Sequence, residues 1–199
     1  MTRKPYATRE EWLVAAIDAL RPLFAEIDET VPAVRVSVGW PGGRGPKSAV
    51  IGQCWRSDHA ADGVSQVFIS PVLDDAPTVL AVLTHELIHA LDDCQHGHRG
   101  RFVKVARRIG LEGPATATHA GDALALRLLG IAASLGPYPH AALSAEVEGA
   151  DGPRKQGTRM LKVECIEGSG YKVRITRTWL TQYGAPLCPC HKRRMVEVE

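Results

Sequence analysis

Apolar and polar positions along the 199-residue chain repeat with two different periods, and each change of period marks an element. Thr8-Arg9-Glu10-Glu11 has the spacing of a capping box, in which each of two side chains accepts the other residue's backbone N–H. Behind it, Trp12, Leu13, Ala16, Ile17, Leu20 and Phe24 recur every three or four residues. That spacing predicts an amphipathic helix of about four turns. Pro22 falls late in it, where a ring without an N–H kinks or ends a helix. VRVSV (34–38), SAVIGQCW (48–55) and SQVFIS (65–70) are rich in β-branched residues and alternate. They read as three strands of a small antiparallel sheet, the first two separated by the loop GWPGGRGPKS.

Pro77 suits the first turn of the next helix, with Asp74 and Asp75 ahead of it near the positive end of the dipole. From Thr78 to about Asp93 the period is helical, and Leu80, Leu83, Leu87 and Leu91 share one side. Gly97 and Gly100 interrupt the pattern. A helix then starts near Arg101 with Phe102, Val105, Ala106 and Ile109 as its stripe, and Gly110 stops it. Another runs from about Ala120 to Leu135, ended by Gly136-Pro137. Residues 141–157 are small, polar and Gly/Pro-bearing and read as a linker. RMLKVECIE (159–167) and YKVRITRTW (171–179) then alternate as a β-hairpin. The pattern gives an α+β chain: a body of residues 1–140, a linker over 141–157 and a small module over 158–199.

Composition narrows the classes. Apolar residues make up 45% of the chain, enough for a packed core. No apolar run is long enough to span a membrane, and MTRKPYATREEW has no apolar stretch of a secretory signal, so a cytoplasmic protein is expected. Five cysteines, an odd number, argue against a disulfide framework, and three of them (Cys165, Cys188 and Cys190) lie near the C-terminus. Charge is uneven. Residues 1–150 carry 14 basic and 17 acidic side chains, residues 151–199 carry 10 and 5. A basic tail on an acidic body points to an anionic partner.

The chemistry concentrates at THELIHALDDCQHGH (84–98), which holds four of the eight histidines. HELIH is an H-E-x-x-H motif. On a helix His85 and His89 project the same way, opposite the leucine stripe, and can ligate one Zn²⁺. Glu86 reaches the same cavity without binding the metal and suits a general base. A hydrolytic zinc wants a third protein ligand, and His96, His98 and Glu112 are the candidates. Glu112 follows a helix stop, in a loop, which places it poorly.

THELIHALDDCQHGHRGRFVKVARRIGL resembles the core of the SprT-like metalloproteases, relatives of the Spartan proteases. That family has HExxH, a third histidine in a short turn and an aromatic residue four positions later, matched here by His98 and Phe102. The resemblance covers roughly residues 10–136. It implies a minimal zincin-like fold, with His85, His89 and His98 as zinc ligands, Glu86 as general base, and protein substrates near or crosslinked to DNA. His96 is then left as a turn residue or a support to the ligands.

Family members often end in a zinc ribbon with two C-x-x-C knuckles, and the tail is similar but degenerate. Cys165 opens one knuckle but Gly168 stands where its second cysteine would be, and the other is Cys188-Pro-Cys190-His191. Cys165, Cys188, Cys190 and His191 are the candidate structural zinc ligands, although Cys190 and His191 are adjacent. Without metal the same segment reads as a ribbon held by apolar contacts. Arg154, Lys155, Arg159, Lys162, Lys172, Arg174 and Arg177, interleaved with Tyr171, Trp179 and Tyr183, suit single-stranded DNA or other nucleic acid, and equally an ordinary solvated hairpin. Asp92 and Asp93 either orient a ligating histidine or end a helix as surface charges. Cys54 and Cys94 read as small buried hydrophobes. His59, His119 and His140 read as surface residues. Tyr138 is within plausible reach of a cleft as an oxyanion donor.

Overall fold

The structure is a computed structural model that describes residues 6–43, 50–144 and 160–198. Residues 145–157 of the expected linker, and Arg154, Lys155 and Arg159, lie outside that set. The chain divides into two compact units, Met1–Val147 and Glu148–Glu199. Its class is α+β. No helix among the described residues is long and apolar enough to cross a membrane.

In the first unit the order is α1 (Arg9–Ala25), β1 (Val34–Val38), β2 (Gly52–Trp55), β3 (Ser65–Ile69), α2 (Ala76–Ala90), α3 (Arg101–Ile109), β4 (Leu111–Glu112), β5 (His119–Ala120) and α4 (Asp122–Leu135). Helix α1 begins where the capping box places it. Thr8 accepts from the Glu11 amide at 3.1 Å, and Glu11 accepts from the Thr8 amide at 3.2 Å. Pro22 does not end the helix, which runs three residues further. An interior proline costs about 3 kcal/mol. Burial of Leu23 and Phe24 just beyond it opposes that cost, since each fully buried side chain of this size contributes about 1.5–3 kcal/mol.

The three-stranded sheet is mixed, not antiparallel. Its order is β1-β3-β2, with β1 parallel to β3 and β2 antiparallel to it. Strand β3 takes the centre because Ser65, Val67 and Ile69 are all buried, whereas β2 ends in the exposed Trp55 and suits an edge. Period-two alternation marks a strand but does not say which strand is central, which is why chain order suggested the wrong pairing. The leucine face of α2, together with Trp12, Leu20 and Phe24 of α1 and Phe102 of α3, fills one core.

Helix α2 is shifted toward the N-terminus relative to the expected 78–93. Asp75 caps it by accepting from the Thr78 amide, and it ends at Ala90. It stops there because Asp93 and Cys94 adopt left-handed backbone (φ 53° and 58°). The Asp93 carboxylate accepts from the Ser57 amide, the Ser57 hydroxyl and the Ser65 hydroxyl, at 2.6, 3.0 and 3.2 Å. These bonds tie the turn after α2 to the sheet.

The second unit holds β6 (Met160–Glu164), β7 (Lys172–Thr176), a short helix α5 (Arg177–Tyr183) and β8 (Val196–Val198). The hairpin is present, but its second arm ends earlier than expected. Thr176 caps α5 by accepting from the Trp179 amide, so RTW is helical rather than extended. Strand β8 adds a third, antiparallel strand beside β6 that three residues of VEV were too short to announce. A small core of Val163, Cys165, Cys188 and Met195 lies beneath.

Candidate metal centre

Helix α2 sets the site because its two faces do different work. Leu80, Leu83 and Leu87 are fully buried in the core, which fixes the helix's rotation and turns His85 and His89 into a cleft on the other side. His98 arrives from the turn between α2 and α3. Gly97 and Gly100 on either side of it have φ of 50° and 52°, a conformation that disfavours residues with a Cβ. The His98 Nε2 lies 3.1 Å from the Nε2 of His85 and 3.1 Å from that of His89. The three donor atoms therefore converge on a point where one ion would touch all of them. Phe102 packs against all three rings, with centroids 4.8, 5.1 and 4.4 Å from His85, His98 and His89.

The protonation states fit a metal. Burial holds His85 down to about 3, helped by the repulsion of His89 and His98, and holds His89 down to about 4. His98 is lowered too, again by burial. Neutral imidazoles keep the lone pair that a metal needs. Thr118 partners the other nitrogen of His85, its hydroxyl oxygen 2.7 Å from Nδ1. With Nε2 turned to the metal position, Nδ1 carries the proton and the hydroxyl accepts it. Thr118→Val keeps the shape and removes the acceptor. Its metal affinity should fall about 10- to 100-fold, read by zinc competition against a chromophoric chelator. An unchanged affinity would remove Thr118 from the site.

Glu86 is buried beside the histidines and lines the same cleft. Burial pushes its carboxyl up to about 8, the neighbouring Cys94 thiol adds to that, and a hydrogen bond from the Cys54 amide works against it. A side chain at Gly52 would collide with Glu86. A Cβ there would lie 2.5 Å from Glu86 Oε1 and 2.6 Å from Val82 Cγ1. Glycine thus lets the β2 backbone close over Glu86 and hold it. The cleft measures about 540 Å³ and runs between β2, α2 and the Thr116–Thr118 segment.

No family model, curated protein or solved structure matches this chain.

The remaining candidates separate clearly. His96 is exposed and its Nδ1 pairs with Asp92 Oδ2 at 2.7 Å, away from the cluster. Glu112 is exposed in the two-residue strand β4, with its side chain over Gly121, and is no part of the cluster. Asp93 anchors the turn, so neither aspartate orients His85 or His89 by a described hydrogen bond. Tyr138 is buried against Trp12 and beneath the Arg9 guanidinium, outside the cleft lining. Cys54 packs against the core, as expected of a small hydrophobe, but neither it nor Cys94 is fully buried. Both are partly exposed and both line the cleft. Thr118 and Gly52 were missed from sequence. A glycine inside a strand pattern does signal close backbone approach, but nothing around Thr118 marks it.

In the second unit Cys165, Cys188 and His191 come together as a second group able to hold a metal ion. Cys165 Sγ lies 3.3 Å from His191 Nδ1, and the Ser169 hydroxyl lies 3.5 Å from Cys188 Sγ. That hydroxyl holds the Cys188 thiol down to about 6 and lowers Cys165 as well, while the two thiols raise His191, Cys165 more than Cys188. Cys190 does not join them. It is exposed in the tight turn closed by Lys192 N–H to the Cys188 carbonyl at 2.8 Å. Neighbouring side chains in such a turn diverge, so His191 faces the site and Cys190 faces out.

Proposed function

We propose that this protein is a zinc-dependent metallopeptidase of the SprT-like type, with a minimal zincin-like body, acting on protein substrates that include DNA-associated ones. The observation that carries it is the convergence of the His85, His89 and His98 Nε2 atoms beside a buried glutamate on one open cleft. Three neutral imidazoles match the nitrogen ligands zinc prefers, and three protein ligands are the number a hydrolytic zinc uses. Zinc bound there would supply a Lewis acid that makes water ionise near pH 7 and polarises a carbonyl.

The chain's own groups do the rest. Thr118 keeps the His85 ring in register. The Cys54 amide and the Gly52 backbone hold the Glu86 carboxylate against the cleft wall. Glu86 takes a proton from the attacking water and returns it to the departing amine nitrogen. Its burial-raised pKa suits the return step, and a cation held by the three histidines would lower it for the first.

The C-terminal unit supports two further proposals. Cys165, Cys188 and His191 are a structural zinc site, with Ser169 beside it. Single-stranded nucleic acid is a partner, because Trp179 and Tyr183 stack at 4.9 Å and 27° while 56% and 63% exposed. The two exposed stacked rings offer a face for bases, and the strand and helix that carry Lys172, Arg174 and Arg177 supply cations for phosphates, with Lys172 and Arg177 exchanging their partners Glu164 and Glu197 for them. This stack also favours the alternative that the protein is a non-enzymatic, zinc-containing nucleic-acid module. The deciding experiment incubates the zinc-loaded protein with a casein-like substrate, with and without single-stranded DNA. Cleavage under either condition supports the hydrolase, and none under both favours the module. Trp179→Ala should weaken DNA binding by about 1–3 kcal/mol, the value of one stacked base, measured by fluorescence anisotropy. Unchanged binding would remove the stack from the interface.

A further inference from the structure

Two cysteines meet on the wall of the cleft. Cys54 comes from the edge strand β2 and Cys94 from the left-handed turn after α2. Cys94 Sγ lies 3.6 Å from the Cys54 carbonyl, so the two residues are in direct contact. Both are free thiols and partly exposed where they line the cleft, so a small solute reaches them. They are 40 residues apart in sequence and held together by the fold. Neither thiol has a role in the hydrolytic scheme.

We propose that Cys54 and Cys94 form a site of reversible oxidative modification, closed to a disulfide by a two-electron oxidant of the peroxide class. With hydrogen peroxide the steps balance. One thiolate attacks a peroxide oxygen, an S–O bond forms, the O–O bond breaks, and the hydroxide released takes up a proton to become water. The second thiol attacks the resulting sulfenic sulfur, an S–S bond forms, the S–O bond breaks and a second water leaves. The two sulfurs lose two electrons and the peroxide gains them.

The site is coupled to Glu86. An S–S bond of about 2.05 Å is shorter than any non-bonded contact between two sulfurs, so closing it pulls on β2 and the turn. The Cys54 amide is the group that holds Glu86, and there is no slack at Gly52, whose added Cβ would lie 2.5 Å from Glu86 Oε1. Movement of β2 therefore moves the carboxylate. This consequence rests on the hydrolase reading, whereas the bond itself does not.

The test treats the full-length protein with hydrogen peroxide, blocks remaining thiols and digests with trypsin. Cleavage after Lys47, Arg56 and Arg99 places Cys54 in peptide 48–56 and Cys94 in peptide 57–99, each the only cysteine in its peptide. The expected result is those two peptides disulfide-linked, separated again by a thiol reductant, and absent from Cys54→Ser and Cys94→Ser proteins. Recovery of both peptides unlinked after full oxidation, or linkage only of the peptides bearing Cys165 and Cys188, overturns the proposal. Peptide hydrolysis should fall about 10- to 100-fold with the bond formed, as for a catalytic group misplaced by about 1 Å, and return on reduction. A fully formed bond that leaves the rate unchanged overturns the coupling to Glu86. If the reduced protein hydrolyses nothing, the hydrolase reading fails and the linked peptide still decides the modification site.

Discussion

Glu86→Gln should abolish most peptide hydrolysis, lowering the rate by about 10²- to 10⁴-fold, while zinc stays bound and the fold is unchanged. Glutamine has the volume of glutamate and keeps a carbonyl oxygen to accept from the Cys54 amide, so the tight packing against Gly52 is preserved. It lacks a group that can take a proton from water. The metal should be indifferent, because the three donor atoms come from His85, His89 and His98. A second effect has a defined sign. Burial raises the Glu86 carboxyl from its ordinary 4.5 to about 8 in the metal-free protein. Across that window the folded chain binds more protons than the unfolded one, so wild-type stability falls as pH rises from 4.5 toward 8. Glutamine does not titrate, so the metal-free variant should melt above wild type by a margin that widens over the same window. A variant that cleaves as fast as wild type would end the role given to Glu86.

His98→Ala should release the zinc of the first unit and His96→Ala should keep it. Both histidines lie in the turn between α2 and α3, one on each side of Gly97, and their orientation separates them. His98 Nε2 stands 3.1 Å from each of the other two donors, whereas His96 is exposed and paired with Asp92. Losing His98 leaves two donors, and the affinity loss should exceed the roughly 10- to 100-fold typical of a supporting residue. Elemental analysis should show His98→Ala lower than wild type by one zinc per chain, with any zinc held at Cys165, Cys188 and His191 retained. The reverse result, zinc lost with His96→Ala alone, would shift the ligand register by two residues.

Much of this site was legible because a helix converts spacing into geometry. His89 follows His85 by four positions, and the leucines on the opposite face fix which way both point. The third ligand was a choice among His96, His98 and Glu112 that spacing alone left open. The resemblance to the SprT-like pattern favoured His98, and the structure brings that residue to the other two. Pairing was less legible. Strand β3 is central because of what it buries from both neighbours, and Gly52 of the edge strand β2 passes close to Glu86. Both are facts of tertiary contact that alternation cannot encode. Thr118 is 33 residues from His85 in a short turn, so its bond to Nδ1 left no local trace. In the tail, C-P-C-H suggested two adjacent ligands, and the turn admits one of them.

The central claim is that hydrolysis depends on zinc held by the three histidines. The measurement that tests it most directly follows cleavage of a casein-like substrate by one preparation before chelation, after removal of the metal and after zinc is returned. Cleavage that stops on removal and recovers with zinc, in wild type but not in His98→Ala, is the predicted result. Cleavage that persists in the metal-free protein, or that zinc restores equally to His98→Ala, would contradict it.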